Sequence, residues 1–261
     1  MPEPATYVYC LVQSARAPEL KGAPEGMPGA GRPRTLAVDR GVWAVVADAP
    51  LDRFSGDLLQ QELQDIEAVS RHALAHASMI EFFFQRSPVI PVKLFTLFSQ
   101  DERARRHLAG RGSKVRKMFE RLRGLEEWGV RITASNRPPA VRRPGLSGTA
   151  APVSGRSYLE VKKRLKDDDG APSSATRREV SAAMKALGKL AAKSRAEDFP
   201  PPGRGRPYVT GASFLVKARR RAAWKKRVSQ LTASLARQNH RLEVSGPWPP
   251  YHFVTDTKAA R

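Results

Sequence analysis

The 261-residue chain carries 46 Lys and Arg against 25 Asp and Glu, a formal charge of +21. Its 41% hydrophobic content suffices for a core and excludes wholesale disorder, and a single cysteine excludes a disulfide framework or a multi-cysteine metal site. No apolar run approaches the ~20 residues that span a bilayer, and MPEPATYVYCLV lacks the basic start and cleavage pattern of a signal peptide, so a soluble intracellular protein is expected.

The charge is uneven. Residues 1–133 hold 19 Lys and Arg against 16 Asp and Glu, whereas residues 134–261 hold 27 against 9. Between the halves, SNRPPAVRRPGLSGTAAP (135–152) is rich in Pro, Gly and Ser, which predicts an extended connection and a domain junction.

In chain order, TYVYCLV (6–12) is aromatic and β-branched, and both alternate sets (Tyr7, Tyr9, Leu11 and Val8, Cys10, Val12) are largely apolar. That predicts a strand covered on both faces, with Cys10 as a small core residue. The loop that follows, with Gly22, Gly26, Gly29 and Gly31, lacks the Lys-Ser or Lys-Thr of a phosphate cradle. VWAVVA (42–47) predicts a second strand. A long helix is expected over residues 56–85, its apolar stripe running Leu59, Leu63, Ile66, Ala73, Ala77, Ile80 and Phe84. His72 and His76 lie four apart on it, the spacing of two metal ligands, but no HExxH and no third ligand completes a set. No metal is assigned: His76 edges the stripe and His72 points toward solvent.

VIPVKLFTLF (89–98) reads as a strand in which Pro91 demands an edge position. Ser99-Gln100-Asp101-Glu102 reads as a capping box, opening a helix that extends to Leu122 with a break at Gly110 and Gly112. EEWGVRIT (126–133) returns to strand. Helices are expected at 154–166 and 178–193, with Asp167-Asp168-Asp169-Gly170 as an acidic turn lacking calcium-loop spacing. After the loop at 198–207, YVTGASFLV (208–216) is a strand and 218–238 a helix. Trp224, Val228, Leu231 and Leu235 face inward on that helix, and Asn239 suits its left-handed end. RLEVSGPWPPYHFV supplies a short strand and a proline-stiffened tail.

KARRRAAWKKR (217–227), with seven basic residues in eleven, admits two readings. It is a phosphate-binding segment or the solvated face of a helix that also has an apolar stripe. No zinc-finger, ribonucleoprotein or GXXG pattern accompanies it, and no G-x-S-x-G, Walker or Rossmann fingerprint occurs. Residues alone thus leave a two-domain α+β protein of open role. A basic nucleic-acid-binding module and a hydrolase stand as alternatives.

Seven segments in order carry a resemblance: YVYCLV, VWAVVADAP, AHASMIEFFFQRSPVIPVKLFTLF, LEEWGVRI, SGRSYLEVKK, TGASFLVKARR and SGPWPPYHFV. Together, over residues 6–254, they resemble the gas vesicle protein L/F family (GvpL/GvpF), with departures at Ser245 and His252. The resemblance implies an α+β fold of two domains. These are an N-terminal α+β domain (1–125) and a C-terminal modified ferredoxin-like domain (126–244) with a helical insertion near 171–195 and its second strand near 196–199. A tail (245–261) packs between them. It also implies a non-enzymatic accessory protein of gas vesicle assembly in the cytoplasm. Its partners would be the small hydrophobic shell protein, the growing vesicle and other accessory proteins, with no cofactor, no membrane and no specific nucleic acid.

Candidate site residues follow from both readings. Pro247, Trp248, Pro249, Pro250 and Tyr251 form the interdomain tail, with Trp248 expected to be buried. Phe84, Pro91, Phe95, Leu97 and Phe98 are apolar candidates for partner contact at the edge strand, and the same residues suit the core. Arg219, Arg220, Lys225 and Lys226 are the basic candidates.

Overall fold

A strand apolar on both alternate sets has to be covered on both faces, and β1 (Ala5–Gln13) is buried from Ala5 to Val12. The computed structural model describes residues 4–54, 60, 62–134, 172–199 and 208–254. The expected connection at 135–152, the helix at 154–166, the acidic turn at 167–170 and residues 200–207 lie outside them. The chain divides into two units, Met1–Glu126 with Pro247–Arg261, and Glu127–Gly246. The fold is α+β, as expected.

The sheet of the first unit has the order β2 (Arg34–Asp39), β3 (Val42–Ala49), β1, β4 (Val89–Pro91), and β5 (Leu97–Phe98) also pairs with β1. All these pairings are antiparallel. Against β3 the register shifts between Val8 and Cys10, a bulge that changes the phase of the strand. Tyr7, Tyr9, Cys10 and Val12 therefore share one core cluster, while Val8 and Leu11 join another. Simple alternation groups Leu11 with the tyrosines; the extra residue moves it to the opposite face. β2 is unforeseen in the sequence, because a half-exposed edge strand carries few large apolar residues. Arg40-Gly41 turns it into β3, with Gly41 at φ +71.

One face of this sheet is covered by α1 (Ile66–Phe84); a turn at Leu63 and Gln64 interrupts the helix expected over 56–85, of which residues 56–59 and 61 lie outside the described residues. Asp65 sits in extended conformation and caps α1 by accepting a 2.9 Å hydrogen bond from the Glu67 amide. The buried stripe is Ala68, His72, His76, Met79, Ile80, Phe82 and Phe83; Ile66, assigned to the core, is 82% exposed. The opposite face is covered by α2 (Asp101–Ala109) and α3 (Gly112–Leu122), which contribute Ala104 and Phe119 to the cluster of Val8 and Leu11.

The capping box does not form. Gln100 is the N-cap of α2 and makes no side-chain cap bond. Asp101 instead accepts hydrogen bonds of 2.7 and 2.8 Å from Arg34 and one of 2.7 Å from the Thr6 hydroxyl. Glu102 faces Arg105 and Arg106. Charge-assisted partners outcompete a neutral cap. The strand expected over 89–98 is also two pieces: Pro91 closes β4, and the chain leaves the ladder before rejoining β1 at Leu97, with Phe95 at φ +59.

In the second unit β6 (Leu125–Ala134), α4 (Ser174–Gly188), β7 (Lys193–Glu197), β8 (Tyr208–Lys217), α5 (Arg221–Ala236) and β9 (His240–Trp248) follow in order. The sheet order β7-β8-β6-β9 is that of a ferredoxin-like β-α-β-β-α-β unit. Trp128, Val130 and Ile132 of β6 pack with Phe214 and Val216 of β8, Val180, Ala183 and Leu187 of α4, and Trp224 and Leu235 of α5. Thus α4, within the segment assigned to an insertion, is a core helix, because Val180, Ala183 and Leu187 recur at spacings of three and four. It ends at Gly188, not at residue 193, and the second strand begins three residues earlier than expected. β7 pairs antiparallel with β8, Lys193 opposite Leu215 through Glu197 opposite Gly211. Asn239 ends the helical segment at φ +62, as its position predicts.

Candidate functional site

The interior of the first unit is built from rings with polar ends. Tyr7 and Tyr9 extend from β1 toward α1, where His76 waits between them: its ring is edge-on to Tyr7 and stacked on Tyr9, at 5.7 Å in both cases. His76 Nε2 lies 3.0 Å from the Val92 carbonyl, which only accepts, so Nε2 carries the proton. Nδ1 is then the acceptor for the Tyr7 hydroxyl at 2.6 Å. Burial lowers the His76 pKa and, with Tyr7 pushed strongly upward, keeps both rings neutral at pH 7. Tyr9 accepts from the Met27 amide at 2.7 Å, and a Cβ at Gly26 would lie 2.6 Å from that hydroxyl.

His72 is buried, contrary to the solvent position expected of it. Its Nε2 donates to Glu62 at 2.9 Å, and its Nδ1 lies 3.1 Å from the Met27 sulfur. The two histidines thus spend their four ring nitrogens on different protein partners. Among the described residues no group of three His, Cys, Asp or Glu side chains is placed to hold a metal ion. Cys10 is fully buried, and desolvation raises its thiol pKa well above the ordinary value, the condition of a packed residue rather than a nucleophile.

The apolar candidates divide. Pro91 is buried in the edge strand β4. Phe84, Phe95 and Leu97 are half-buried against the cluster under α1, and Phe98 against the cluster on the other face. They are core residues first. Among the described residues the large apolar side chains that reach solvent are Leu51 (42% exposed), Leu63 (46%), Ile66 (82%), Leu74 (68%) and Trp248 (40%); Ile66 and Leu74 lie on α1 and Leu63 just before it. The signal that would have found the α1 pair is Asp65: a helix capped there turns Ile66 and Leu74 away from the buried stripe.

The tail after β9 packs in the first unit through three of the five residues expected of it and two beyond them. Pro249, Pro250 and Phe253 are buried, Tyr251 packs on the cluster under α1, and Val254 on the opposite cluster. The Phe253 carbonyl accepts from Arg121 at 3.2 Å. Trp248, the expected anchor, is 40% exposed, and Pro247 is half-buried.

The basic candidates stay together at the junction of β8 and α5. Lys217 ends β8, Ala218–Arg220 forms a 3₁₀ turn, and Arg219, Arg220, Arg221, Lys225 and Lys226 are all exposed. Trp224, in their midst, is fully buried and anchors the helix to the sheet. Among the described residues no carboxylate makes an ion pair with Lys217, Arg219, Arg220, Lys225 or Lys226.

With this geometry in hand, similarity to known proteins is extensive. The sequence model of the gas vesicle synthesis protein GvpL/GvpF family matches residues 5–255. Gas vesicle protein L of Streptomyces sp. (strain CB03234) is 26% identical over 252 residues, covering 95% of this chain and 92% of that protein. Gas vesicle protein F of the same strain is 27% identical over 269 residues, covering 96% and 99%. The crystal structure of gas vesicle protein GvpF from Anabaena sp. PCC7120 superimposes with a TM-score of 0.67 at 14% identity, over 97% of this chain and 99% of that one. GvpF from Microcystis aeruginosa gives a TM-score of 0.62 at 13% identity, over 96% and 99%. At such identities the structures establish likeness of fold. No helix among the described residues is long and apolar enough to cross a membrane.

Proposed function

Because this chain belongs to the GvpL/GvpF family of gas vesicle synthesis proteins, we propose that it is a non-enzymatic accessory protein of gas vesicle assembly. In this reading it acts inside the cell, associating with the small hydrophobic shell protein, the growing vesicle and other accessory proteins. The observation that carries the reading is the family match along residues 5–255. What the chain's own residues add is a chemistry suited to reversible contact. A shell built from apolar subunits exposes apolar surface before it closes, an aggregation hazard that a covering protein relieves. Leu63, Ile66 and Leu74 offer a small apolar surface beside Asp65 and Glu67, a contact too limited to be permanent. β4 is a sheet edge of three residues whose proline lacks an amide, so addition of a further strand there is restricted to Val89 and Ile90. In this reading the chain has an N-terminal domain (1–125), a C-terminal domain (126–244) and a tail (245–261) that packs between them.

Density-gradient fractionation of vesicle-forming cells tests it. Loss of the chain should abolish the buoyant fraction, and a Leu63→Ser, Ile66→Ser, Leu74→Ser variant should reduce it while the purified protein stays folded. Normal buoyant vesicles in cells lacking the chain refute the proposal.

A further inference from the structure

The described part of the second unit holds sixteen Lys and Arg and only five Asp and Glu. Those few carboxylates are spoken for or remote from α5 in the chain. Glu127 is buried in β6, Glu179 meets His240 at 3.3 Å, Glu197 accepts from Ser213 at 3.2 Å, and Glu243 pairs with Arg241 at 2.9 Å. The five cations Lys217, Arg219, Arg220, Lys225 and Lys226 are gathered within ten residues and have none of them. They also stand where the backbone does not welcome them. Arg219 and Arg220 precede the first turn of α5, which contains no acidic residue, and cations at a helix N-terminus oppose its dipole. The free chain therefore carries an electrostatic penalty at this place that an anionic partner would relieve.

We propose that this surface docks a carboxylate-rich segment of another protein. Arginine guanidinium groups suit carboxylates because two parallel N–H groups meet two oxygens. A second copy of this chain is a poor occupant, since each carries +21. Single-stranded nucleic acid is disfavoured because the one aromatic residue in the segment, Trp224, is fully buried and presents no ring for a base to stack on. The choice of a protein partner rests on the proposed role in vesicle assembly; the cluster itself does not.

The test uses the purified full-length chain and a short polyglutamate peptide. The Arg219→Gln, Arg220→Gln, Lys225→Gln, Lys226→Gln variant should bind it about tenfold more weakly, the loss expected for four exposed ion pairs. An Arg177→Gln, Arg178→Gln, Lys185→Gln, Lys189→Gln variant removes equal charge from α4 and should bind nearly as the unmodified chain. Equal weakening in both variants overturns the proposal, because net charge alone then explains binding. So does tighter binding, through the α5 cations, of a single-stranded oligonucleotide or of phosphatidylserine vesicles at matched charge. Since the assay needs no vesicles, peptide binding localised to α5 stands even where cells lacking the chain still float. Unlocalised binding alongside lost buoyancy removes this surface and leaves the assembly role.

Discussion

The two units handle polarity in opposite ways. In the first, polar groups are turned inward and matched. Tyr7, His76 and the Val92 carbonyl form a buried chain of hydrogen bonds, and nearer the surface Arg34 is held between Asp48 and Asp101 at 2.6 and 2.7 Å. In the second, the cluster under the helices is apolar, although Glu127, Thr176, Ser213 and His240 are also buried, and Lys217, Arg219, Arg220, Lys225 and Lys226 are turned outward with no carboxylate partner among the described residues. The difference teaches where each unit draws its specificity. Matched internal groups fix one arrangement of β1, α1 and the segment 92–96, because any slip strands a buried donor or acceptor. Unmatched external groups fix nothing inside, and remain available to whatever binds.

The largest expected effect lies in the tail, which belongs to the inward-looking unit. Phe253→Ala removes a buried ring and should destabilise the first unit by about 3 kcal/mol in urea denaturation. Trp248→Ala removes a ring that is 40% exposed and should cost about 1 kcal/mol or less. If the tail also holds the units together, Phe253→Ala raises protease cleavage within 135–152, and Trp248→Ala does so less. A larger effect from Trp248 returns the weight to the residue that the sequence favoured.

Next comes the buried network. Tyr7→Phe keeps the ring and deletes the hydroxyl, leaving His76 Nδ1 without its partner. The expected cost is about 1–3 kcal/mol, read by the same denaturation. A neutral outcome means that the matched interior does not specify the first unit, and the contrast between the units fails.

Titration sharpens the same point. Burial depresses the His76 pKa below its unfolded value near 6.5. The unfolded chain therefore binds more protons below that pH, and stability should fall progressively as pH drops from about 6.5 toward the folded value. The His76→Gln variant, starting from lower stability, should lose that slope. Asp101 acts lower: Arg34 holds its carboxyl below the usual range, so its modest contribution is present above pH ~4 and disappears beneath it. A first unit whose stability is flat between pH 7 and 5 contradicts the neutral, buried imidazole.

How much of this was legible in the sequence depends on where each signal comes from. β1, β3, β6 and β8 are runs of β-branched and aromatic residues that need no context, and α5 shows its stripe from Trp224 to Leu235. β2 and β7 do not: RTLAVD and KSRAE are edge strands held by the ladder to β3 and β8, not by their own hydrophobicity. The bulge that moves Leu11, and the cap that turns Ile66 outward, are single-residue events which shift every following side chain. The roles of His72 and His76 were hidden for another reason. Their partners lie up to 69 residues away in sequence, and no local pattern announces such a contact.

The smallest effect is expected on the basic face, and it tests the outward half of the contrast. Glutamine at Arg219, Arg220, Lys225 and Lys226 removes no buried group and, among the described residues, breaks no ion pair. It does relieve repulsion among neighbours and opposition to the helix dipole. The variant should therefore be as stable as the unmodified chain or slightly more so. The two should also differ in their response to salt. Raising ionic strength screens exposed charges over a Debye length of about 8 Å at 0.15 M, so salt should stabilise the unmodified chain and do less for the variant. Thermal unfolding at low and high salt reads both. Marked destabilisation of the variant would mean that these cations have structural partners, and the surface would then be part of the fold rather than free for binding.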